Sequence, residues 1–541
     1  MKRNTIILFL LCLSALGLRL IFIDKPDGLW NDEYVSWMIA SKSFNDGFWD
    51  AVKSQCHMPL YYFYLKFIML LFGNSDLVLR LSSVLTGLFA IGAMYLVGKE
   101  KDEQTGLLCA GFCAISSFLI YYSQEVRLYS ILFLISALCL LYTIRLIKNP
   151  NIKNLVFCSI FNILIIITHT IGFVFVFFNL IFISANLFKN YKKFVQTFWS
   201  AIFIVSCPFV CLAYKIMTTQ SFSQWWNHFS ISQIGFLLTD YFSPVLTNLT
   251  SAPNKFLYLP IALIPFMLIP AIIALIYIIK SVSKDKFNLA LLSIVIGVIS
   301  VLAAASILGK LVFITKYSIE IYPILIYLAC SNRFDNKKIN YVLITIYSML
   351  SLGYLIFHPY SAPKMHRAEG HKIPMQMLKN MQLKKNDKII LLYYPKDRFE
   401  KYFDFSDYTV ISVDKGNFAS YMTAGTTYQD AYKNGKTIYK NLFLSDNNNY
   451  LGNKLKTEIF DNMRVGQSII MVVLNSVAFC TPDEIKQIAK EDNKYTQTPL
   501  LFLVFSYLKK EIFYDSVKEF VPQNVEKKGN WMIVKFTKVN N

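Results

Sequence analysis

Charged residues are scarce in this sequence. Only 16% of its 541 residues are Asp, Glu, Lys or Arg, whereas about 25% is usual for a soluble globular protein. Hydrophobic residues make up 55% of the chain. So few charges leave too little polar surface for a soluble protein of this length, and we expect lipid to solvate most of the chain.

Acidic residues are scarcer than basic ones, 34 against 54, which gives a formal net charge of +20. A surplus of this size can indicate nucleic-acid binding, but the Lys and Arg residues do not form one continuous stripe. They lie in short clusters between apolar runs, as the orientation of membrane proteins requires. We therefore exclude nucleic acid as a partner.

The cysteines form no pattern that indicates a metal site or a disulfide framework. Ten are scattered along the chain, and eight lie in or beside apolar runs, where Cys behaves as a small hydrophobic residue. Cys109 and Cys113 share a helical face, but no further Cys or His completes a zinc site. Cys56 and Cys480 lie in segments that we place in water, and nothing supports a disulfide between them.

Long apolar runs recur through the first two thirds of the chain. A helix of roughly 17–25 apolar residues crosses the hydrocarbon core of a bilayer, so these runs predict a polytopic α-helical membrane protein with about 11 transmembrane helices. The runs lie near residues 5–23, 80–98, 105–121, 129–147, 155–169, 171–188, 195–217, 256–279, 288–308, 317–330 and 340–358. No small-residue cleavage site follows the first run, which indicates a retained helix and not a signal peptide.

Basic clusters between these runs predict the topology. They fall in alternate loops, as expected if those loops are cytoplasmic. The clusters are Lys2 and Arg3, Lys99 and Lys101, Arg145, Lys148 and Lys153, Lys189, Lys192 and Lys193, Lys280, Lys284 and Lys286, and Arg333, Lys337 and Lys338. We therefore expect a multi-pass protein of the cell (inner or plasma) membrane, with a cytoplasmic N-terminus.

The first external loop, residues 24–78, contains a shorter apolar segment. Residues 59–72 are only about 14 residues long, and a full crossing there would move every later basic loop to the outside. The segment also contains Lys66. We therefore expect a re-entrant or surface-lying helix. Residues 33–42 and 44–54 predict two short amphipathic helices that rest on the membrane.

The composition changes after the last apolar run. Residues 361–541 mix charged and apolar residues, and short strand-like runs lie at 388–394, 468–474 and 531–536. Helical patterns separate these runs, so the segment predicts a compact soluble α/β domain. We accordingly divide the chain into a transmembrane domain, residues 1–360, and an extracytoplasmic C-terminal domain.

Two adjacent carboxylates, Asp32 and Glu33, follow the first apolar run. Trp30 and Tyr34 flank them at the lipid boundary, where an unpaired carboxylate is costly. The other acids of this external loop are explained as solvated loop charges. The position of Asp32 and Glu33 makes them candidates for a role in chemistry.

Arg127 lies with Glu125 in a short connection between two apolar runs. The positive-inside rule disfavours an external Arg, so this residue needs a local reason. It either pairs with a carboxylate (Glu125, Asp32 or Glu33) or binds a phosphate bidentately.

Lys316 occupies the outer edge of another run, just before Tyr317 and one turn before Glu320. It either forms an intrahelical pair with Glu320 or contacts a lipid-linked phosphate at the level of the headgroups. His169 lies at a further outer boundary, where a satisfied interfacial histidine is the ordinary explanation.

Four short motifs contain most of these residues. They are Asp32-Glu33, His57-Met58-Pro59-Leu60-Tyr61-Tyr62, Ser123-Gln124-Glu125-Val126-Arg127-Leu128-Tyr129-Ser130 and Lys316-Tyr317. Their order resembles the GT-C superfamily of glycosyltransferases, and is most similar to bacterial relatives of the protein O-mannosyltransferases and of the aminoarabinose (lipid A) transferase. The resemblance covers roughly residues 1–360. Met58 stands where Pro is frequent, and Lys316 stands where Arg is frequent, which loses the bidentate fork.

This resemblance implies a GT-C-like fold and transfer of a sugar from a polyprenyl-phosphate donor, on the extracytoplasmic face of the bilayer, with inversion at the anomeric carbon. A glycan, lipid or protein is the implied acceptor. Asp32 would take the proton of the attacking group. Arg127, Lys316 and Tyr317 would bind the departing phosphate. Glu33 would either hold Asp32 or bind a divalent metal ion.

The resemblance assigns the remaining motif residues to substrate binding, and these are His57, Tyr61, Tyr62, Glu125 and Tyr129.

A polytopic transporter or flippase of lipid-linked glycans is the main alternative. Such proteins tend to place charges at mid-bilayer and to contain repeats, whereas here the charges lie at the outer edge and no repeat is present. A lipid-linked oligosaccharide polymerase or ligase would lack the early Asp-Glu loop.

Overall fold

The chain divides into two compact units. The first comprises Met1–Asp24 and Asp32–Met365, and the second comprises Lys25–Asn31 and His366–Asn541. The structure, a computed structural model, describes residues 2–25, 27–54, 58–219, 230–245, 264–308, 312–332, 337–357, 370–381, 383–385, 387–393, 396–414, 463–474, 520–528 and 531–538. His57, Cys56 and Cys480 lie outside the described residues.

The first unit is helical where the structure describes it. Its helices are α1 (Lys2–Leu20), α2 (Asn31–Ser41), α3 (Phe48–Ser54), α4 (Leu60–Phe72), α5 (Asp76–Lys99), α6 (Glu103–Ile115), α7 (Ser117–Ser123), α8 (Tyr129–Lys148), α9 (Ile152–Ile166), α10 (Gly172–Thr219), α11 (Ser232–Phe242), α12 (Ile264–Lys284), α13 (Lys286–Ile307), α14 (Tyr322–Ser331) and α15 (Lys337–Phe357). A 3-10 helix, Thr315–Ile321, precedes α14. Each apolar run predicted from the sequence is mostly helical in its described part.

Five helices are long and apolar enough to cross a bilayer, namely α5, α8, α10, α12 and α13. The bent pair α6 and α7 makes a sixth span if it is counted as one. The protein is therefore a multi-pass membrane protein. The predicted total of eleven crossings is not confirmed by the described helices, because α9 has only 15 residues and α14 only 10.

Two breaks in the helices were not predicted. The run at 105–121 is interrupted at Ser116, whose extended backbone (φ −63°, ψ 117°) separates α6 from α7, and the two axes differ by 60°. The runs at 171–188 and 195–217 are joined in α10, which is kinked at Tyr191 (φ −133°, ψ 39°). A hydropathy average does not detect a single extended residue.

The helices predicted in the first external loop are present as α2, α3 and α4. Lys66, in the middle of α4, donates hydrogen bonds to the carbonyl oxygens of Ala40 at 3.0 Å and Lys42 at 2.7 Å. It thereby satisfies carbonyls at the C-terminal end of α2, where a cation also complements the helix dipole. The orientation of α4 in the membrane stays a prediction.

The second unit contains a five-stranded sheet among its described residues. The strands are β1 (Lys388–Tyr393), β2 (Thr409–Asp414), β3 (Ser468–Leu474), β4 (Phe520–Lys528) and β5 (Trp531–Lys538), in the order β2-β1-β3-β5-β4. β1 is parallel to β2 and β3, whereas β5 is antiparallel to β3 and β4. The three predicted strands are therefore confirmed. Helix α16 (Lys372–Asn380) packs its buried Met375 and Leu378 into the core that contains Leu391.

Residues Lys25–Asn31 belong to this second unit, although the sequence placed them in the first external loop. Leu29 is fully buried, and its N–H donates to the Tyr402 hydroxyl at 2.8 Å. Its carbonyl oxygen lies 3.2 Å from Nδ1 of His371. Burial of the imidazole lowers the pKa of His371 to about 4, despite this bond to the Leu29 carbonyl.

Candidate active site

Asp32 lies in the first turn of α2 and faces two cations. Its Oδ2 atom is 3.8 Å from Nη2 of Arg127 and 3.9 Å from Nζ of Lys316. Nη1 of Arg127 also donates to the main-chain oxygen of Asp32 at 3.2 Å. The carboxylate side chain is 28% exposed and so remains accessible. The structure thus brings together three candidates that are far apart in the sequence.

The two cations are not saturated by Asp32. Both ion-pair distances exceed the 2.7–2.9 Å or so of a charge-assisted hydrogen bond, and Nε of Arg127 is buried without a hydrogen-bond partner among the described residues. Burial opposes the charge of the guanidinium, but Asp32 and Tyr129 attract it, and the net effect raises the pKa of Arg127. Lys316 shows the same balance, and its pKa is also raised. Both residues therefore carry their charge at neutral pH and can bind a further anion.

Two tyrosine rings surround these cations. The ring centre of Tyr129 lies 5.8 Å from Cζ of Arg127 and 5.8 Å from Nζ of Lys316. The ring of Tyr317 lies 5.3 Å from the same ammonium. These distances are those of cation–π contacts, which stabilise the cations.

Glu33 points away from Asp32 into a buried ion pair. Its two oxygens accept from Nε of Arg80 at 3.1 Å and from Nη2 at 2.8 Å, and both side chains are fully buried. Oε1 also accepts from the main-chain N–H of Val126 at 3.1 Å. Glu33 therefore ties α2 to α5 and to the loop that carries Arg127. This geometry favours the supporting role for Glu33.

The residues present do not fit a metal at the Asp32-Glu33 pair. Both oxygens of Glu33 are engaged by Arg80 and Val126. Two cations stand where further ligands of a divalent ion would be needed. Among the described residues, no three His, Cys, Asp or Glu side chains converge on a common point.

Helix α11 holds the 3-10 helix that carries Lys316. Thr315 donates to Oδ2 of the buried Asp240 at 2.7 Å. The hydroxyl of Tyr241 donates to the carbonyl oxygen of Ser318 at 2.7 Å. Sequence reasoning missed both α11 residues. An acid within an apolar helix was the available signal, because its burial requires a partner.

Glu320 pairs with His169 and not with Lys316. Oε1 of Glu320 lies 2.7 Å from Nδ1 of His169, and the glutamate side chain is fully buried. The intrahelical alternative for Lys316 is therefore not what the structure shows. His169 is a satisfied histidine, as its position at a helix boundary indicated.

The other described candidates for substrate binding are buried. Tyr61, Tyr62, Glu125 and Tyr129 are each 2% exposed or less. The rings of Tyr61 and Tyr62 pack edge to face, 5.6 Å apart. Direct contact of these four residues with a substrate stays a prediction.

Comparison with known proteins gives one family match and a similar solved fold. The sequence profile of the family described as "Dolichyl-phosphate-mannose-protein mannosyltransferase" matches residues 56–211. The fold is similar to the crystal structure of ArnT from Cupriavidus metallidurans in the apo state, with a TM-score of 0.53 and 11% identity over 97% of both chains. The resemblance to the GT-C glycosyltransferases is confirmed.

A second structure of ArnT is also similar to the chain. It is ArnT from the same organism bound to undecaprenyl phosphate, with a TM-score of 0.50 and 12% identity over 97% of both chains. A search of curated protein sequences gave no significant match. The GT-C profile match includes Arg127 and Tyr129 but neither Asp32 nor Lys316. The distances among these four residues come from the structure and not from the family match.

Proposed function

We propose that the protein is an inverting membrane glycosyltransferase. It moves a sugar from a polyprenyl-phosphate carrier to an acceptor hydroxyl or phosphate on the extracytoplasmic face. The position of the Asp32 carboxylate, 3.8 Å from Arg127 and 3.9 Å from Lys316, carries this proposal. The match to the mannosyltransferase profile and the likeness to ArnT, which has been solved with undecaprenyl phosphate, support the same class of reaction.

The two cations bind the phosphate of the donor in this mechanism. Nη2 of Arg127 and Nζ of Lys316 lie 3.8 and 3.9 Å from the partly exposed Asp32 carboxylate, so both can donate to phosphate oxygens bound beside it. As the bond between the anomeric carbon and the phosphate oxygen breaks, negative charge develops on the leaving polyprenyl phosphate. Fixed cations stabilise that charge without reorganisation.

Asp32 acts on the acceptor. The acceptor hydroxyl attacks the anomeric carbon from the side opposite the phosphate, which inverts its configuration, and the hydroxyl proton passes to Asp32. The adjacent cations hold the Asp32 carboxylate beside the proposed phosphate site. A phosphate acceptor would attack as an anion and need no base, so dependence on Asp32 distinguishes the two kinds of acceptor.

The proposed location is the cell membrane, with a cytoplasmic N-terminus and residues 361–541 outside. The alternation of basic loops supports it. A reporter that is active only in the cytoplasm, fused after Lys148, Lys286 or Asn541, tests the arrangement. Activity is expected at the first two positions, and activity at Asn541 would contradict it.

Release of polyprenyl phosphate tests the proposed reaction. Purified protein in detergent, given a polyprenyl-phosphate sugar and a membrane extract as acceptor, should release polyprenyl phosphate and glycosylate a component of the extract. A flippase would leave the donor intact, because detergent removes the sidedness on which flipping depends. Mass spectrometry of surface glycans and lipids from cells with and without the gene would identify the sugar and the acceptor.

A further inference from the structure

Arg19 is a fully buried cation near the end of α1, with 1% of its surface exposed. Its Nε donates to the Ser123 hydroxyl at 3.1 Å. Nη1 donates to the carbonyl oxygen of Ala114 at 3.1 Å, and Nη2 to that of Cys113 at 3.0 Å. None of these partners is a carboxylate. A buried charge is costly, so this arrangement needs a physical reason.

The break between α6 and α7 provides that reason. In a continuous helix the carbonyls of Cys113 and Ala114 would accept from N–H groups four residues later, but the 60° bend at Ser116 removes those partners. The C-terminal end of α6 also carries the negative end of its dipole, which stabilises a cation. Arg19 therefore caps the broken helix.

The same contacts fix the start of the loop that leads to Arg127. Ser123 is the last residue of α7, and Nε2 of the next residue, Gln124, donates to the carbonyl oxygens of Arg19 at 3.0 Å and Ile21 at 2.7 Å. A methyl group at Gly87 of α5 would lie 2.6 Å from the Ser123 hydroxyl, so the pair of Arg19 and Ser123 fits tightly against α5.

The far end of this loop is fixed by a different element. The N–H of Val126 donates to Glu33 of α2 at 3.1 Å, and Arg127 then donates to the main-chain oxygen of Asp32. The loop thus has two attachments, Arg19 and Gln124 on the α1 side and Glu33 on the α2 side. Arg127 follows directly after the second.

We propose that Arg19 is a positioning residue that sets the place of Arg127, and through it the affinity for the phosphate of the lipid donor. It acts through the break in the helix and the loop from Ser123 to Arg127, and it does not touch the substrate. This inference rests on the proposed function.

Binding of undecaprenyl phosphate by the full-length protein in lipid nanodiscs tests the inference. Arg19→Met, which keeps the length of the side chain, should weaken binding at least about tenfold, equivalent to about 1.4 kcal/mol. Arg19→Lys should restore part of the loss, because one ammonium can reach one carbonyl but not the whole set. Arg145→Met removes an arginine that pairs with Glu100 elsewhere in the bundle and should leave binding unchanged.

Gln124→Ala keeps the buried guanidinium of Arg19 and removes only the hydrogen bonds from Gln124 to the carbonyl oxygens of Arg19 and Ile21. This variant therefore tests the inference even if Arg19→Met fails to fold. It should weaken undecaprenyl phosphate binding severalfold and leave the KM for the acceptor unchanged, whereas general damage to the fold would alter both. One outcome would show that the inference is wrong while the proposed function stands. In that outcome the wild type binds undecaprenyl phosphate, and both Gln124→Ala and any Arg19 variant that folds bind it equally well. If the wild type does not bind it, the proposed function is wrong, and the inference with it.

Discussion

Replacing Glu33 by Gln will remove the carboxylate partner of Arg80 and leave that guanidinium charged in a fully buried position. Breaking one side of a buried ion pair costs about 3–5 kcal/mol. Gln retains one acceptor for Arg80 or Val126, so we expect the lower end of this range. The free energy of unfolding, measured by SDS titration of protein in mixed micelles, gives the value directly.

The charge of Arg80 is the cause of this loss, so removing it as well should recover most of the stability. Adding Arg80→Met to Glu33→Gln replaces a broken ion pair by apolar packing, which is often neutral or stabilising. Glu103→Gln is the matched control: its ion pair with Lys99 is 2.7 Å long but about half exposed, and solvent screening leaves such pairs little effect on stability. A loss in Glu33→Gln no larger than in this control would refute the reasoning.

Arg127→Gln and Lys316→Gln will each weaken binding of undecaprenyl phosphate by about 10- to 100-fold, because each loses a charged donor worth about 1.5–3 kcal/mol. Unchanged affinity in both would assign them structural roles. His371 has a pKa of about 4 when folded, against about 6.5 unfolded, so about 3 kcal/mol of stability is present above pH 6.5 and lost as pH falls toward 4. Thermal unfolding of the full-length protein should show this loss in the wild type and less of it in His371→Gln. An equal loss of stability in the wild type and in His371→Gln would contradict the lowered pKa of His371.

The helices and the three strands were predictable because apolar runs are a local property of the sequence. Asp32, Arg127 and Lys316 were found for a related reason: a charge at the lipid boundary is costly and therefore needs a partner or a ligand. From the residues alone, Arg127 was expected either to pair with a carboxylate, Asp32 among them, or to bind a phosphate, and only the resemblance to the GT-C superfamily assigned all three residues to one site. Their convergence depends on contacts between elements that are far apart in the sequence. Local sequence patterns do not predict such contacts.

Arg19 and Arg80 show where the same reasoning stopped short. Both lie in or at the edge of predicted apolar runs, 5–23 and 80–98, where averaging over the run hides a single charge. Like Arg127, each is a charge in or beside an apolar run. Their hydrogen-bond partners lie far away in the sequence: Ser123 is 104 residues from Arg19, and Glu33 is 47 residues from Arg80. The placement of Leu29 in the second unit had no such signal, because its partner Tyr402 lies 373 residues away.

Turnover of Asp32→Asn tests the central claim most directly. Asn keeps the size of the side chain and removes its basicity, so turnover with a polyprenyl-phosphate sugar should fall by about 10²–10⁴-fold. Binding of undecaprenyl phosphate should be kept or tightened, because Asp32 no longer competes for Arg127 and Lys316. Asp50→Asn, in an exposed acid of the same loop, should turn over normally. Near-normal turnover in Asp32→Asn would contradict the account.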